Sequence, residues 1–201
     1  MSAFKIIGTS LKDAFVIEAF HVKDNRGAFV KYFEKDAFID LGIEFSLNES
    51  FISVSDKNVI RGMHFQLNSP QAKLVSVPKG VIYDVIIDLR KNSGTYGKWT
   101  GVELSSDNNC SLYVPRGFAH GFRSLENDTV VLYQCDGKYD KESDTGIRFD
   151  DPDIGIEWNI DIADVICSEK DRNLMSFRSF REKTFLEING GIGNGRSKAE
   201  L

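Results

Sequence analysis

From residue 14 to residue 135 the chain repeats one pattern: a run of β-branched and aromatic residues, then a short block of turn chemistry. The runs are "AFVIEAFHV" (14–22), "GAFVKYF" (27–33), "SFISVS" (50–55), "KLVSVP" (73–78), "VIYDVIIDL" (81–89), "WTGVEL" (99–104), "SLYVP" (111–115) and "TVVLYQC" (129–135). Residues of this kind suit a pleated, half-buried surface. Between them stand "DNRG", "SDKN", "PKG", "KNSGTYG", "SSDNN" and "LEND", rich in the Gly, Asn, Asp, Pro and Ser that close turns. Eight runs at this spacing predict an all-β antiparallel sandwich or jelly roll, not alternating βαβ units. Two helices are expected, a short one around 35–42 and another from Ser168 in "SEKDRNLMSFRSF", where Ser168 and Asp171 stand at capping-box spacing. With no internal repeat and no linker, one domain is expected over 1–185. The glycine-rich end "NGGIGNGRSKAEL" makes 186–201 an expected flexible tail.

A chain of 201 residues is long enough for one sizeable core. The net charge of −5 argues against a surface that coats nucleic acid, while leaving room for a local basic pocket. No stretch approaches the ~20 apolar residues of a membrane-spanning helix. The first residues, "MSAFKIIGTSLKDAF", show no signal-peptide pattern, so a cytoplasmic protein is expected. Cys110, Cys135 and Cys167 are scattered, odd in number and without CxxC spacing, which reads as reduced thiols and no zinc.

The candidate chemistry centres on "RGMHFQ" (61–66). As a strand it sends His64 and Gln66 to one face and Arg61 and Met63 nominally to the other. A bulge at Gly62 would bring Arg61 round to join His64. Lys73 heads an apolar run, and Tyr133 carries the acidic hydroxyl of the row Thr129, Val131, Tyr133, Cys135. Each has a plain structural alternative: a half-buried imidazole bonded to backbone for His64, an edge charge for Lys73, a helix cap for Asp171. His120 lies in a Pro-x-Gly-x-x-His frame, the spacing of the second cupin motif, where histidine often binds metal. His64-Phe65-Gln66 lacks the His-x-His and glutamate that such a metal would also need, so no metal is expected.

From about Arg26 to Asp171, the series "RGMHFQ…KLVSVPKGVIYDVIIDLRKNSGTYGKWTGVELSSDNNCSLYVPRGFAHGFRSL…LYQC…GIRFDDPDIGIEW…SEKD" resembles the nucleotide-diphospho-4-keto-6-deoxysugar 3,5-epimerases, the RmlC family. The resemblance implies a cupin-type jelly roll, a homodimer with strand exchange, and a reaction without metal or organic cofactor. It implies that His64 is the base that removes the proton beside the ketone, with Asp171 as its dyad partner. Lys73 would lie at the sugar's C4 oxygen, and Tyr133 would return a proton from the opposite face. Arg61, His120 and Gln66 would help hold the substrate, Arg26 and Phe29 would touch the nucleotide, and Tyr139 would lie close to the sugar.

The chain departs from the family upstream of "RGMH". Where a Gln-x-Asn is common, it has Glu49 and Phe51. A carboxylate is unfavourable near a diphosphate, and phenylalanine lacks an amide's hydrogen bonds. Altered recognition is therefore expected: a GDP- or CDP-linked sugar, including a heptose, destined for a surface polysaccharide. Two other readings of the scaffold stay open, a nucleotide-sugar 3,4-ketoisomerase and a non-catalytic sugar-binding cupin; a metal-dependent dioxygenase comes last.

Overall fold

The computed structural model describes residues 4–190, with side chains to residue 183. The alternating pattern produces thirteen strands among the described residues. One antiparallel sheet has six: β1 (Lys5–Gly8), β2 (Phe15–Glu18), β10 (Cys110–Val114), β7 (Lys73–Lys79), β12 (Thr129–Cys135) and β5 (Glu49–Ser55), in that spatial order. The other has five: β13 (Asp144–Gly146), β6 (Ile60–Gln66), β11 (Phe118–Ser124), β8 (Val81–Asp88) and β9 (Trp99–Ser105). A separate hairpin pairs β3 (Phe20–Asp24) with β4 (Gly27–Lys31). This is the expected all-β, cupin-type jelly roll.

Three apolar layers hold it together. Between the sheets lie Val75, Val77, Ile82, Ile86, Leu104, Leu112, Phe122 and Val131, all buried. Residues of opposite parity on the five-stranded sheet, including Met63, Val85 and Ile87, face outward into a second layer with Phe149, Trp158, Phe177 and Phe180. The outer face of the six-stranded sheet is closed by a third, in which Ile17 and Leu74 meet Phe4, Phe38 and Phe45. Both faces of the central strands are covered: only Val81 and Tyr83 in β8 and only Arg123 in β11 keep partial exposure.

The structure departs from the expected elements in three places. The run 14–22 is two strands: β2 joins the six-stranded sheet, and after Ala19 the chain leaves the body as β3, whose residues beyond Phe20 are exposed. The helix expected from Ser168 is short, α2 (Glu169–Arg172), and a second, α3 (Phe177–Gly190), follows; the short helix at 35–42 is present as α1 (Lys35–Asp40). Of the flexible tail expected over 186–201, residues 186–190 belong to α3, and residues 191–201 lie outside the described residues. No helix among the described residues is long and apolar enough to cross a membrane.

Candidate active site

The sheets open at one end around a cavity of about 810 Å3. The six-stranded sheet contributes Glu49, Phe51, Ser53, Lys73, Tyr133 and Cys135 to its wall. Phe51, Tyr133 and Val75 are aligned across β5, β12 and β7, and one step along the strands Glu49, Cys135 and Lys73 are aligned in the same way. Tyr133 and Cys135 face inward because they share parity with buried Val131, as the alternation predicted. The Phe51 ring stacks on Tyr133, centroids 4.9 Å apart and planes 15° from parallel.

The five-stranded sheet faces them with His64 and His120, which are direct cross-strand partners on β6 and β11. Arg61 lines the same cavity although Met63, two positions on, is fully buried in the outer layer. The cause lies at Gly62, which has φ 135°, beside a register shift between His120 and Phe122. Its α-carbon packs so close to β11 that an added Cβ would stand 2.5 Å from Gly121 Cα. The bulge expected from the sequence thus rotates Arg61 toward the cavity. There its Nε donates to Ser55 Oγ at 3.1 Å and a terminal nitrogen donates to the Val54 carbonyl at 3.2 Å.

His64 and Asp171 form a dyad, with Nε2 to Oδ1 2.6 Å. Ser168 caps α2 by accepting from the Asp171 N–H at 3.0 Å, while the Asp171 side chain turns the other way to His64 and the Gly62 N–H. Half of the expected capping box therefore forms, and the carboxylate is left for the histidine. Burial alone would raise the Asp171 pKa; the hydrogen bond and charge of His64, the Gly62 N–H and Ser168 outweigh it and hold the carboxyl below its usual range.

The Lys73 side chain makes no hydrogen bond or ion pair with the described residues. Desolvation pulls its pKa down, against the opposing charges of Asp144 and Asp84, even though part of the residue's surface remains open. The Tyr133 phenol is pushed well up by burial and then by Asp84, with the Ser53 hydroxyl and Arg61 pulling the other way. Cys135 is pushed up to about 11, mainly by burial, so it remains a thiol. One wall therefore carries a protonated phenol and an unpaired lysine, and the other an imidazole backed by a carboxylate. That set can move a proton at one face of a ligand, supply one at the other, and hold a negative oxygen between.

The remaining expected residues divide. Gln66 lines the cavity, but its amide is committed to loop backbone: Nε2 donates to the Ser69 carbonyl at 2.6 Å, and Oε1 accepts from the Asp140 N–H at 2.7 Å. Tyr139 lines the mouth, and its N–H donates to Glu49 Oε1 at 2.7 Å, so the carboxylate that departs from the family is tied to this loop. Arg26 and Phe29 do not line this cavity. They sit on the projecting β3–β4 hairpin, away from the cavity of their own chain. Arg26 pairs with Asp24 at 2.6 Å, and Phe29 is 60% exposed.

Three site residues escaped the sequence reading. Lys170 and Asp144 meet at the mouth at 2.6 Å, where the Tyr139 hydroxyl also donates to Asp144 at 3.2 Å; nothing in their local sequence marks them. Asp84, bonded to His120 Nε2 at 2.6 Å, did leave a signal, as an acid flanked by apolar and aromatic residues inside "VIYDVIIDL". Among the described residues no group of three or more His, Cys, Asp or Glu side chains could hold a metal ion.

The model of the dTDP-4-dehydrorhamnose 3,5-epimerase family matches residues 8–179. A dTDP-4-dehydrorhamnose 3,5-epimerase of Methanothermobacter thermautotrophicus is 47% identical over 179 residues, 89% of this chain and 97% of that protein. The crystal structure of the enzyme of the same name from Elizabethkingia anophelis superposes with a TM-score of 0.83 at 44% identity, covering 88% of this chain and 98% of that one. The dTDP-6-deoxy-D-glucose-3,5-epimerase of Legionella pneumophila, solved in complex with dTDP-4-keto-L-rhamnose, gives 0.84 at 36% identity, covering 87% and 93%. Identity of this extent, over nearly the whole of each relative and on the same fold, assigns the chain to the dTDP-4-dehydrorhamnose 3,5-epimerase family, isomerases of nucleotide-linked 4-keto-6-deoxy sugars.

Proposed function

We propose that this protein inverts C3 and C5 of a dTDP-linked 4-keto-6-deoxyhexulose through an enolate, with His64 as base and Tyr133 as acid. The observation that carries the reading is the division of the proton-transfer groups: His64 comes from one sheet, backed by Asp171 of α2, Tyr133 and Lys73 come from the other, and all line one cavity. A single base would tend to return the proton to the face it left. Two groups on opposing walls invert the centre.

In this mechanism His64 Nε2 is held by Asp171, which orients the ring and supports the imidazolium once the proton is taken. The electrons of the broken C–H bond pass to the C4 oxygen, where Lys73 supplies the positive charge. The Lys73 ammonium has no competing partner and is poorly solvated, and there an electrostatic contact is strongest. The enolate carbon then takes the Tyr133 proton from the other side. Arg61 and Ser53, which already favour the ionised phenol, stabilise the phenolate that remains. His120 holds the sugar. Arg61 and Lys170 provide cations for the diphosphate, and Gln66 and Tyr139 shape the wall. Phe51 fixes the plane of the Tyr133 ring by stacking on it.

The expected GDP- or CDP-linked substrate, or heptose, finds no support in the relatives, and the Legionella protein was solved with dTDP-4-keto-L-rhamnose. Glu49, the reason for that expectation, is tied to the Tyr139 backbone, which makes it compatible with an ordinary member of the family. A homodimer completes the site in this reading. The projecting hairpin would place Arg26 and Phe29 of one copy at the nucleotide of the other, and the exposed Ile52 and Val54 on edge strand β5 offer an apolar surface for the contact.

The test is to incubate the protein with dTDP-4-keto-6-deoxyglucose in D2O and follow the sugar by NMR. Deuterium at C3 and C5 with a new diastereomer is expected, and His64→Ala should abolish exchange at both carbons. Migration of the carbonyl would replace this reading with the ketoisomerase, and no exchange with any nucleotide-linked 4-keto sugar would favour the binding protein.

A further inference from the structure

The chain crosses from β12, in the six-stranded sheet, to β13, in the five-stranded sheet, through residues 136–143, and Tyr139 of that crossing lines the cavity mouth. No strand runs beside the crossing, so its backbone polar groups need other partners. Among the described residues no backbone carbonyl accepts from the Tyr139 or Asp140 N–H. Side chains take that place. Gln71 Nε2 donates to the Gly137 carbonyl at 2.5 Å, and Gln66 Nε2 to the Lys138 carbonyl at 3.3 Å. Glu49 Oε1 accepts from the Tyr139 N–H and Gln66 Oε1 from the Asp140 N–H, both at 2.7 Å. Four consecutive residues are thus each held by a side chain, and the three side chains that hold them all line the cavity. Glu49 comes from β5 of one sheet and Gln66 from β6 of the other, so the crossing is pinned from both sides.

We propose that Glu49 and Gln66 are positioning residues, a two-sided clamp on the crossing that fixes Tyr139 at the mouth for capture of the substrate sugar. The proposal rests on the epimerase reading for the identity of the ligand; the clamp itself does not. Tyr139 is held at three points: its own N–H by Glu49, the next N–H along the chain by Gln66, and its hydroxyl by Asp144 Oδ2 at 3.2 Å. Asp144 is paired in turn with Lys170 at 2.6 Å. Tyr139 is 50% exposed, so half of its surface has no packing to hold it and the hydrogen bonds carry the task. Neither clamp residue bonds a proton-transfer group. The side-chain partners of Gln66 are backbone at Ser69, Lys138 and Asp140, and that of Glu49 is backbone at Tyr139. Loss of the clamp therefore leaves His64, Asp171 and Tyr133 in place and loosens the wall that meets the ligand. A loose phenol must be ordered at each binding event, and that ordering is taken from affinity. The geometry also accounts for a carboxylate where an amide is common in the family: the Tyr139 N–H needs an acceptor oxygen, and either group supplies one.

The experiment begins without substrate. Amide hydrogen exchange followed by NMR should show Tyr139 and Asp140 protected in the wild type, although both lie outside any strand. Glu49→Ala should speed exchange at Tyr139 about tenfold or more, and Gln66→Met should do the same at Asp140, since each amide loses its one acceptor. Glu49→Gln keeps an acceptor oxygen and should retain most of the Tyr139 protection. If it behaves like Glu49→Ala, charge rather than the bond is at work, and the clamp is wrong. In turnover with dTDP-4-keto-6-deoxyglucose, Glu49→Ala and Gln66→Met should raise KM about tenfold while kcat falls less than about threefold, and Glu49→Gln should bring KM back to within about threefold of wild type. A lowered kcat at unchanged KM overturns the proposal, as does wild-type protection of both amides in the two variants. The exchange readout can fail while the epimerase assignment stands. Absence of turnover in the wild type removes that assignment, and the clamp is still decided by exchange. Should Gln66→Met not fold, because Gln66 is buried, the two Glu49 variants decide alone: Glu49 is only partly buried at the start of β5.

Discussion

Replacing Gly62 by alanine should unfold the protein at a markedly lower temperature and disable what remains folded. Two costs arise together. The residue has φ 135°, a region in which a side chain costs of order 1–3 kcal/mol. The new Cβ would also stand 2.5 Å from Gly121 Cα and 3.0 Å from the His120 carbonyl oxygen. Both neighbours are backbone of a buried central strand, so relief requires β6 and β11 to separate, and overpacking of this kind adds about 1–3 kcal/mol. A combined loss of about 4 kcal/mol corresponds to a fall of about 8–16 °C in Tm for a chain of this size. The same separation would shift His64 against His120 and Arg61 against the cavity. A displacement near 1 Å in such a site can cost about 100-fold in rate. Differential scanning calorimetry and the D2O exchange assay, run well below the new Tm, measure the two effects. Gly94→Ala is the control, since an added Cβ there meets nothing within 4 Å. If Gly62→Ala melts within about 2 °C of the wild type and exchanges at full rate, the account of how this strand is shaped is wrong.

Three further outcomes are expected. Tyr133→Phe should retain deuterium exchange driven by His64 while losing most of its inversion, and an unchanged rate of diastereomer formation would remove Tyr133 from the mechanism. Asp88 is held at about 2 although burial pushes it up, because Arg90, Ser93 and Thr95 donate to it. Its folded pKa lies below the unfolded value of 3.8, so its stabilisation is present above pH 3.8 and is lost as the pH falls through about 2. Discounted for solvent screening at Arg90, it amounts to about 1–2 kcal/mol. Urea unfolding should show the gap between wild type and Asp88→Asn narrowing by that amount from pH 5 to pH 2, and a constant gap would refute it. Treatment with EDTA should leave the exchange rate unchanged, and a loss restored by added divalent cation would call for ligands other than those described.

The linear chain determined a good part of this. Period-2 alternation in "TVVLYQC" was enough to put Tyr133 and Cys135 on the inner face, because a strand that buries one side has no other way to face. The glycine inside "RGMHFQ" marked the irregularity that brings Arg61 beside His64. The motif series was sufficient for the family, and with it for the jelly roll. Tertiary structure decided what depends on distance rather than order. Asp171 is 107 positions from His64 and becomes its partner only because α2 packs against β6; in the sequence it was as readily a helix cap, and its N–H does serve that cap. Asp84 and His120 meet across two strands that the sequence lists 36 residues apart. Local sequence also misjudged the hairpin, since "AFVIEAFHV" reads as one strand whether or not the chain leaves the sheet at Ala19. Periodicity reports which face a residue takes within its own strand. Which acid meets which base is set by the packing of strands that are remote in the chain.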